Sequence, residues 1–260
     1  MNAKDMRGCV DRSAASLLVQ PWFSHLRVVL VRARNPLNIG AAARAMSNFG
    51  FTDLRLVSPW EPSFRGAVSA VGASEVMQSA QLCESVAEAV ADCVLVVGTT
   101  AVGARELQHP LHDLAEAVEL MRQPLVSAPV ALLFGSEKSG LSNEELSHCH
   151  WLLRIPTREA HISMNLGQAV AICVYELARR HADPLPESEP AMAPAEDMER
   201  ITKMLFEALC ESGYTPVDAA ELERTRRLVR RMGLDKEDAW ALQGMLRKIL
   251  WKTKHPGSGK

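Results

Sequence analysis

Net charge is nearly absent from this 260-residue chain: 29 Lys and Arg against 31 Asp and Glu leave a formal charge of −2. Taken whole, that balance argues neither for nor against a nucleic-acid partner. No apolar run approaches the roughly 18 to 20 residues a membrane helix needs. The first 20 residues carry Lys4, Asp5, Arg7, Asp11 and Arg12 among small residues and lack the apolar core of a signal peptide. The expectation is a flexible amino-terminal extension over residues 1–24 of a cytoplasmic protein. Paired cysteines are missing too. Cys9, Cys83, Cys93, Cys149, Cys173 and Cys210 are scattered singly, which predicts reduced, mostly buried thiols. His148-Cys149-His150 looks metal-like on paper, but adjacent residues on a helix point apart, so no metal site is expected. There is no internal repeat, no G-x-G-x-x-G and no P-loop.

What is present is an alternation. Apolar, β-branched runs at Leu26 to Ala33, Leu54 to Ser58, Val94 to Thr100, Val130 to Gly135 and Trp151 to Ile155 read as strands. Helical spacing fills the gaps: Ile39 to Phe49 with Gly50 as its stop, Val86 to Ala91, Leu114 to Arg122, and Asn143 to Cys149. Ser142 and Glu145 have the form of a capping box ahead of the last of these. A final helix is expected from about Ser163 to Arg180. Nearly continuous apolar strands joined by helices predict an α/β domain over residues 25–181, a mainly parallel sheet with helices on both faces. Residues 182–196 hold Pro184, Pro186, Pro190 and Pro194 and read as a linker. Residues 197–260 read as a small all-α carboxyl-terminal unit of three helices, marginal alone and expected to dock. From Arg224 to Lys260 it carries eleven Lys and Arg against Asp235, Glu237 and Asp238. That excess suits an anionic partner or a solvated helix face.

Three segments place polar residues just past strand ends, where open α/β sheets bind ligands. The first, Asn35 to Arg44, crosses a strand-to-helix turn whose free N–H groups favour anions. Arg44, expected in the second helical turn, is either an incidental surface residue or a site residue. In the second, Phe134 to Ser142, Gly140 supplies a turn and Ser142 a cap, which leaves Glu137 without a structural task. In the third, Ser163-Met164-Asn165 opens a small-residue helix. Ser163 is either its N-cap or a site residue, and Asn165 in the first turn is less easily explained by capping.

In order and spacing the three segments resemble the motifs of the SpoU (SPOUT-class) RNA ribose 2'-O-methyltransferases over about residues 26 to 180. The resemblance matches Asn38 and Arg44 to the first motif, Gly135 and Glu137 to the second, and Ser163 and Asn165 to the third. It implies a carboxyl-terminal trefoil knot, a homodimer, and S-adenosylmethionine as cofactor. Chains are generally unknotted, so the knot rests on the resemblance alone. The implied cofactor contacts are backbone groups of Thr99, Thr100 and Ala101, of Gly135, and of Ile155, Ile162, Ser163 and Met164.

The chemistry so implied must activate a poor nucleophile, a ribose 2'-hydroxyl, toward a methyl that leaves readily. Alignment and stabilisation of a developing alkoxide are the protein's tasks. In the family the counterpart of Arg44 is proposed as general base. A guanidinium holds its proton far above neutral pH, so Arg44 is better cast as binding a substrate phosphate and the 2'-oxygen. Asn38, Glu137, Ser163 and Asn165 would hold ribose, phosphate and Arg44 in place, and no metal is needed. A SpoU-like domain with a basic helical tail is similar to bacterial enzymes that methylate a cytidine or uridine at position 32 of the tRNA anticodon loop. A ribosomal RNA methyltransferase with the same core is the alternative within the class, and a catalytically silent RNA-binding protein the alternative outside it. The apolar surplus of the last helix (Ala169, Val170, Ile172, Cys173, Val174, Leu177) is either core or a subunit interface.

Overall fold

The computed structural model describes residues 21–59, 74–101, 108–179 and 192–255. Most of the expected amino-terminal extension and of the Pro-rich linker lies outside the described residues.

Seven strands form one sheet: β1 (Leu26–Val31), β2 (Asp53–Val57), β3 (Gln81–Cys83), β4 (Leu95–Thr99), β5 (Leu111–Asp113), β6 (Val130–Phe134) and β7 (Trp151–Arg154). Their order is β3-β2-β1-β6-β4-β7-β5, and every pairing is parallel. Alternate residues of the central strands serve opposite layers. Val28, Leu30, Leu132 and Phe134 join one buried cluster, while Val29, Val31, Ala131 and Leu133 join the other. Each Val, Leu or Phe among them, taken fully out of water, contributes about 1.5–3 kcal/mol, which is why Val28 to Val31 and Val130 to Phe134 are apolar at every position. The edge strands β3 and β5 were not expected. Three residues each are too short to show a period.

The described helices are α1 (Pro36–Phe49), α2 (Ser74–Gln78), α3 (Val86–Ala89), α4 (Leu114–Ser127), α5 (Asn143–Ser147), α6 (Leu166–Arg179), α7 (Ala195–Glu211), α8 (Ala219–Arg230) and α9 (Lys236–Lys254). Helices α1, α4 and α6 contribute to one layer, α3 and α5 to the other. α1 and α6 pack closely at Gly167, where an added Cβ would stand 2.6 Å from the Ala41 Cβ. The apolar surplus of α6 is mostly spent inside this chain. Val170, Cys173, Val174 and Leu177 are buried, while Ala169 and Ile172 are only partly covered. Among the described residues no helix is long and apolar enough to cross a membrane.

Helices α7 to α9 share a small core of Met198, Ile201, Val229, Ala239 and Leu246. They dock on the sheet domain of the same chain. The described end of the Pro-rich segment is fastened to both parts: the Ala193 amide donates to Leu234 O and the Ala195 amide to Cys93 O. Beside it, Arg226 forks onto Glu199 at 3.0 and 3.2 Å and donates to Ser147 Oγ at 2.9 Å. Arg230 is fully buried next to this pair. Burial, reinforced by Arg226 and opposed by Glu199, pushes its guanidinium down to about 10.

Candidate active site

Parallel pairing brings the carboxyl ends of β1, β6, β4 and β7, which are neighbours in the sheet, to one edge. The segments that leave them are the three read from the sequence, together with Thr99 to Ala101.

At the first of these ends, Asn35 caps α1, its side chain accepting from the Leu37 amide at 2.9 Å, with Pro36 in the position where a missing N–H is harmless. The anion that this helix start favours is supplied by the chain itself. Glu137 Oε1 accepts from the Asn35 amide (3.2 Å) and from Asn38 Nδ2 (2.9 Å), and Oε2 accepts from the Arg34 amide (3.2 Å). Partial burial would raise the Glu137 carboxyl. The donations from Asn38 and from the backbone amides of Glu137, Arg34 and Asn35 outweigh it, holding the carboxyl below its usual range. Glu137 does not cap α5. Ser142 and Glu145 do that, through a complete capping box.

Asn38 Oδ1 in turn accepts from Asn165 Nδ2 at 2.8 Å, and Asn165 Oδ1 accepts from the Gln168 amide. Asn165 therefore stands ahead of α6 and caps it. This corrects the expected helix start: α6 begins at Leu166, and Ser163 lies outside it on an exposed segment. Asn38, Glu137 and Asn165 thus form one hydrogen-bonded chain. Arg44 is not part of it. It sits in the third turn of α1, not the second, and six residues on from Asn38 it points about 120° away around the helix. Its side chain is exposed while Asn38 is buried.

Beside this chain lies a cavity of about 510 Å³, lined by Thr99, Thr100, Ala101, Gly135, Ile155, Ile162, Ser163 and Met164, and also by Glu137 and Leu141. Its size falls within the roughly 300–1,000 Å³ of small-molecule sites. Thr99 Oγ1 donates to Leu133 O, and the Thr100 amide to Leu153 O, which stitches the β4 loop to both neighbouring strands. At Gly135 an added Cβ would meet the Gly140 backbone at 2.1 Å, so only glycine lets the two ends of that loop touch. A pocket of this size, with Leu141, Ile155 and Met164 among its apolar lining, suits a nucleoside-sized ligand. Leu141 was missed by sequence reasoning, although it lies within the second segment.

The three residues of the metal-like triplet are engaged elsewhere. His150 Nδ1 accepts from the Val96 amide, His148 Nε2 pairs with Glu144, and Cys149 is buried. Among the described residues no group of His, Cys, Asp and Glu could hold a metal ion.

The SpoU rRNA Methylase family model matches residues 25–175, a span that takes in all seven strands. The tRNA (cytidine/uridine-2'-O-)-methyltransferase TrmJ of Yersinia pestis (strain Pestoides F) is 35% identical over 245 residues, covering 90% of this chain and 95% of the relative. The TrmJ of Pectobacterium atrosepticum is 36% identical over 233 residues, covering 86% of this chain and 96% of its own. The crystal structure of TrmJ from Z. mobilis ZM4 superposes with a TM-score of 0.74 at 32% identity, covering 86% of this chain and 98% of that one. The similarity to these relatives thus extends past the sheet domain into the helical unit. The chain belongs to the SpoU methylase family.

Proposed function

We propose that this protein methylates a ribose 2'-hydroxyl of tRNA with S-adenosylmethionine as donor, at a cytidine or uridine in position 32 of the anticodon loop. The observation that carries the reading is the chain Asn165–Asn38–Glu137, whose Glu137 end lines the cavity. The tRNA substrate is supported by relatives named for that activity at about 35% identity over most of the chain.

When bound, the cofactor supplies an electrophilic methyl group. Main-chain groups of Thr99 to Ala101, Gly135, Ile155 and Ile162 to Met164 would hold it. Ser163, which lines the cavity, and Asn165, two residues on, position the ribose. Glu137 fixes Asn38, whose amide orientation is dictated from both sides. Arg44 would bind the phosphate next to the target ribose and stabilise the developing alkoxide, the 2'-hydroxyl proton passing to solvent water. Arg44 faces away from Asn38, so we assign it to the cavity of a second copy, in a homodimer with shared sites and the knot of the SPOUT class. The basic face of α9 holds the rest of the tRNA, and a tRNA substrate puts the work in the cytoplasm.

Incubation of the purified protein with S-adenosylmethionine and tRNA transcripts, followed by mass-spectrometric mapping, tests this. The expected product is a single 2'-O-methyl group at position 32. Methylation of ribosomal RNA but not tRNA would overturn the substrate, and cofactor binding without any methylated RNA would overturn the activity.

A further inference from the structure

Two residues other than glycine adopt left-handed backbone among those described, Arg32 (φ 53°) and Ser58 (φ 43°). Both follow the ends of adjacent strands, β1 and β2, and the Arg32 amide donates to Val57 O at 2.9 Å. A side chain in this conformation brings its Cβ too close to the neighbouring carbonyl and is strained. Glycine would fit Arg32's position without that strain, so what the arginine reaches from there matters.

It reaches across to the second segment. Arg32 Nε donates to Glu145 Oε1 at 2.6 Å and Nη2 to Glu145 Oε2 at 2.9 Å, the two-pronged geometry peculiar to guanidinium and carboxylate. Nη2 also donates to Gly140 O at 3.2 Å. Glu145 is buried, and its Oε2 already accepts from the Ser142 amide. One guanidinium therefore grips both ends of the stretch Gly140 to Glu145. Gly140 is the residue whose backbone presses on Gly135 in the cavity wall. On its other side Arg32 runs directly into Ala33, Arg34 and Asn35, and the last two lend their amides to Glu137.

We infer that Arg32 is a positioning residue for methyl transfer: by clamping the Gly140–Glu145 stretch to the end of β1, it sets the gap across which Glu137 meets the start of α1 and holds the cofactor wall closed. A surface ion pair kept only for stability would not need a left-handed backbone or a bond to the cavity wall. The inference rests on the proposed methyltransferase reading, and cofactor binding gives it a readout that survives if the RNA substrate is misassigned.

The test uses the full chain with Arg32→Gly, which suits the left-handed backbone and deletes the grip, Arg32→Lys, Glu145→Gln and the Arg32→Gly/Glu145→Gln double variant. Calorimetric binding of S-adenosylhomocysteine, methyl transfer and melting temperature are measured on each. Arg32→Gly should melt near the wild type yet bind S-adenosylhomocysteine about tenfold more weakly, and Glu145→Gln should do the same without adding to it in the double variant. Arg32→Lys, which keeps the charge and loses the fork, should recover part of the loss. It also carries the comparison should Arg32→Gly fold poorly. Unchanged affinity and turnover in folded Arg32→Gly or Arg32→Lys, or losses that simply add in the double variant, would overturn the assignment. Wild-type protein that binds S-adenosylhomocysteine but methylates no RNA would sink the proposed function and leave the clamp standing.

Discussion

Asn165 donates through Nδ2 to Asn38 Oδ1 at 2.8 Å, across 127 residues of chain. Because Asn38 Nδ2 is committed to Glu137, the Asn38 amide has one orientation that satisfies both neighbours. The start of α6, the start of α1 and the loop after β6 are thereby locked in register by a single buried side chain. Geometry at the rim of the cavity follows from that lock.

Asn38→Asp is the sharpest probe of it. The substitution keeps the shape and sets a second carboxylate against Glu137, where only one of the two can stay ionised comfortably. Losing a hydrogen bond to a charged group costs about 1.5–3 kcal/mol, so methyl transfer at neutral pH should fall about tenfold or more. Activity should partly return on acidification, as the pair takes up one proton. A pH–rate profile parallel to the wild type would show that the Asn38–Glu137 contact is incidental.

Arg44→Ala should abolish methyl transfer while leaving cofactor affinity nearly unchanged. Arg44 is exposed on the third turn of α1 and does not line the cavity. Calorimetric titration with S-adenosylmethionine, run beside an activity assay, separates the two. Affinity lost in step with activity would mean that Arg44 builds the pocket.

The central strands were legible because burial on both faces forces an apolar residue at every position, as in Val130 to Phe134. The capping box at Ser142 and Glu145 was legible because its partners are three residues apart. Contacts over a hundred residues were not. Glu137 could be seen to lack a local task, but its partners at Arg34, Asn35 and Asn38 appear only when β1 and β6 pair. The start of α6 was misplaced because Ser163 and Asn165 are both good caps, and only the fold decides for Asn165. The left-handed turn at Arg32 leaves no trace in the sequence, since arginine is not a residue that signals it.

Substitution of Lys248 and Lys252 by Ala should weaken tRNA binding and lower its salt dependence. Both lie on the outer face of α9, where Lys248 Nζ stands 4.8 Å from the centre of the Trp251 ring, Trp251 stacks on His255, and Trp240 is 80% exposed. Lysines interleaved with exposed aromatics suit phosphates and unpaired bases. Each lysine lost should reduce the slope of log affinity against log salt by about one. Point substitutions serve better than removing the unit, which would uncover Ser147 and the residues beneath Ala195. An unchanged slope in filter binding would mark this face as merely solvated.

Sedimentation at low micromolar concentration should show one species of twice the chain mass. Leu37, 75% exposed in the first turn of α1, and Tyr175, 47% exposed on α6 and in ring contact with Phe49, leave apolar surface beside the site that a second copy would cover. Leu37→Glu should then yield monomers with much reduced methyl transfer. A wild-type monomer that still methylates RNA would rule out both the dimer and the placement of Arg44 in a partner's site.

Acid should destabilise the fold through the buried His150 and the half-buried His109 before it reaches the carboxylates. Burial, aided by Arg230, pushes His150 down to about 3, and burial, aided by Arg227 and Arg231, pushes His109 down to about 4. Unfolded, each would take its proton near pH 6.5. Between those values the unfolded chain binds more protons than the native one, so the contribution is fully present above about pH 6.5 and is lost as pH falls toward 3. His150 accepts from the Val96 amide through Nδ1, a role an uncharged side-chain carbonyl can fill. In urea titrations across a pH series, His150→Asn should therefore unfold with about one proton fewer taken up over this window. Its stability would start lower at neutral pH, for loss of packing, and decline less steeply toward acid. A slope equal to that of the wild type would show that His150 already carries its proton in the native protein, against the direction its burial dictates.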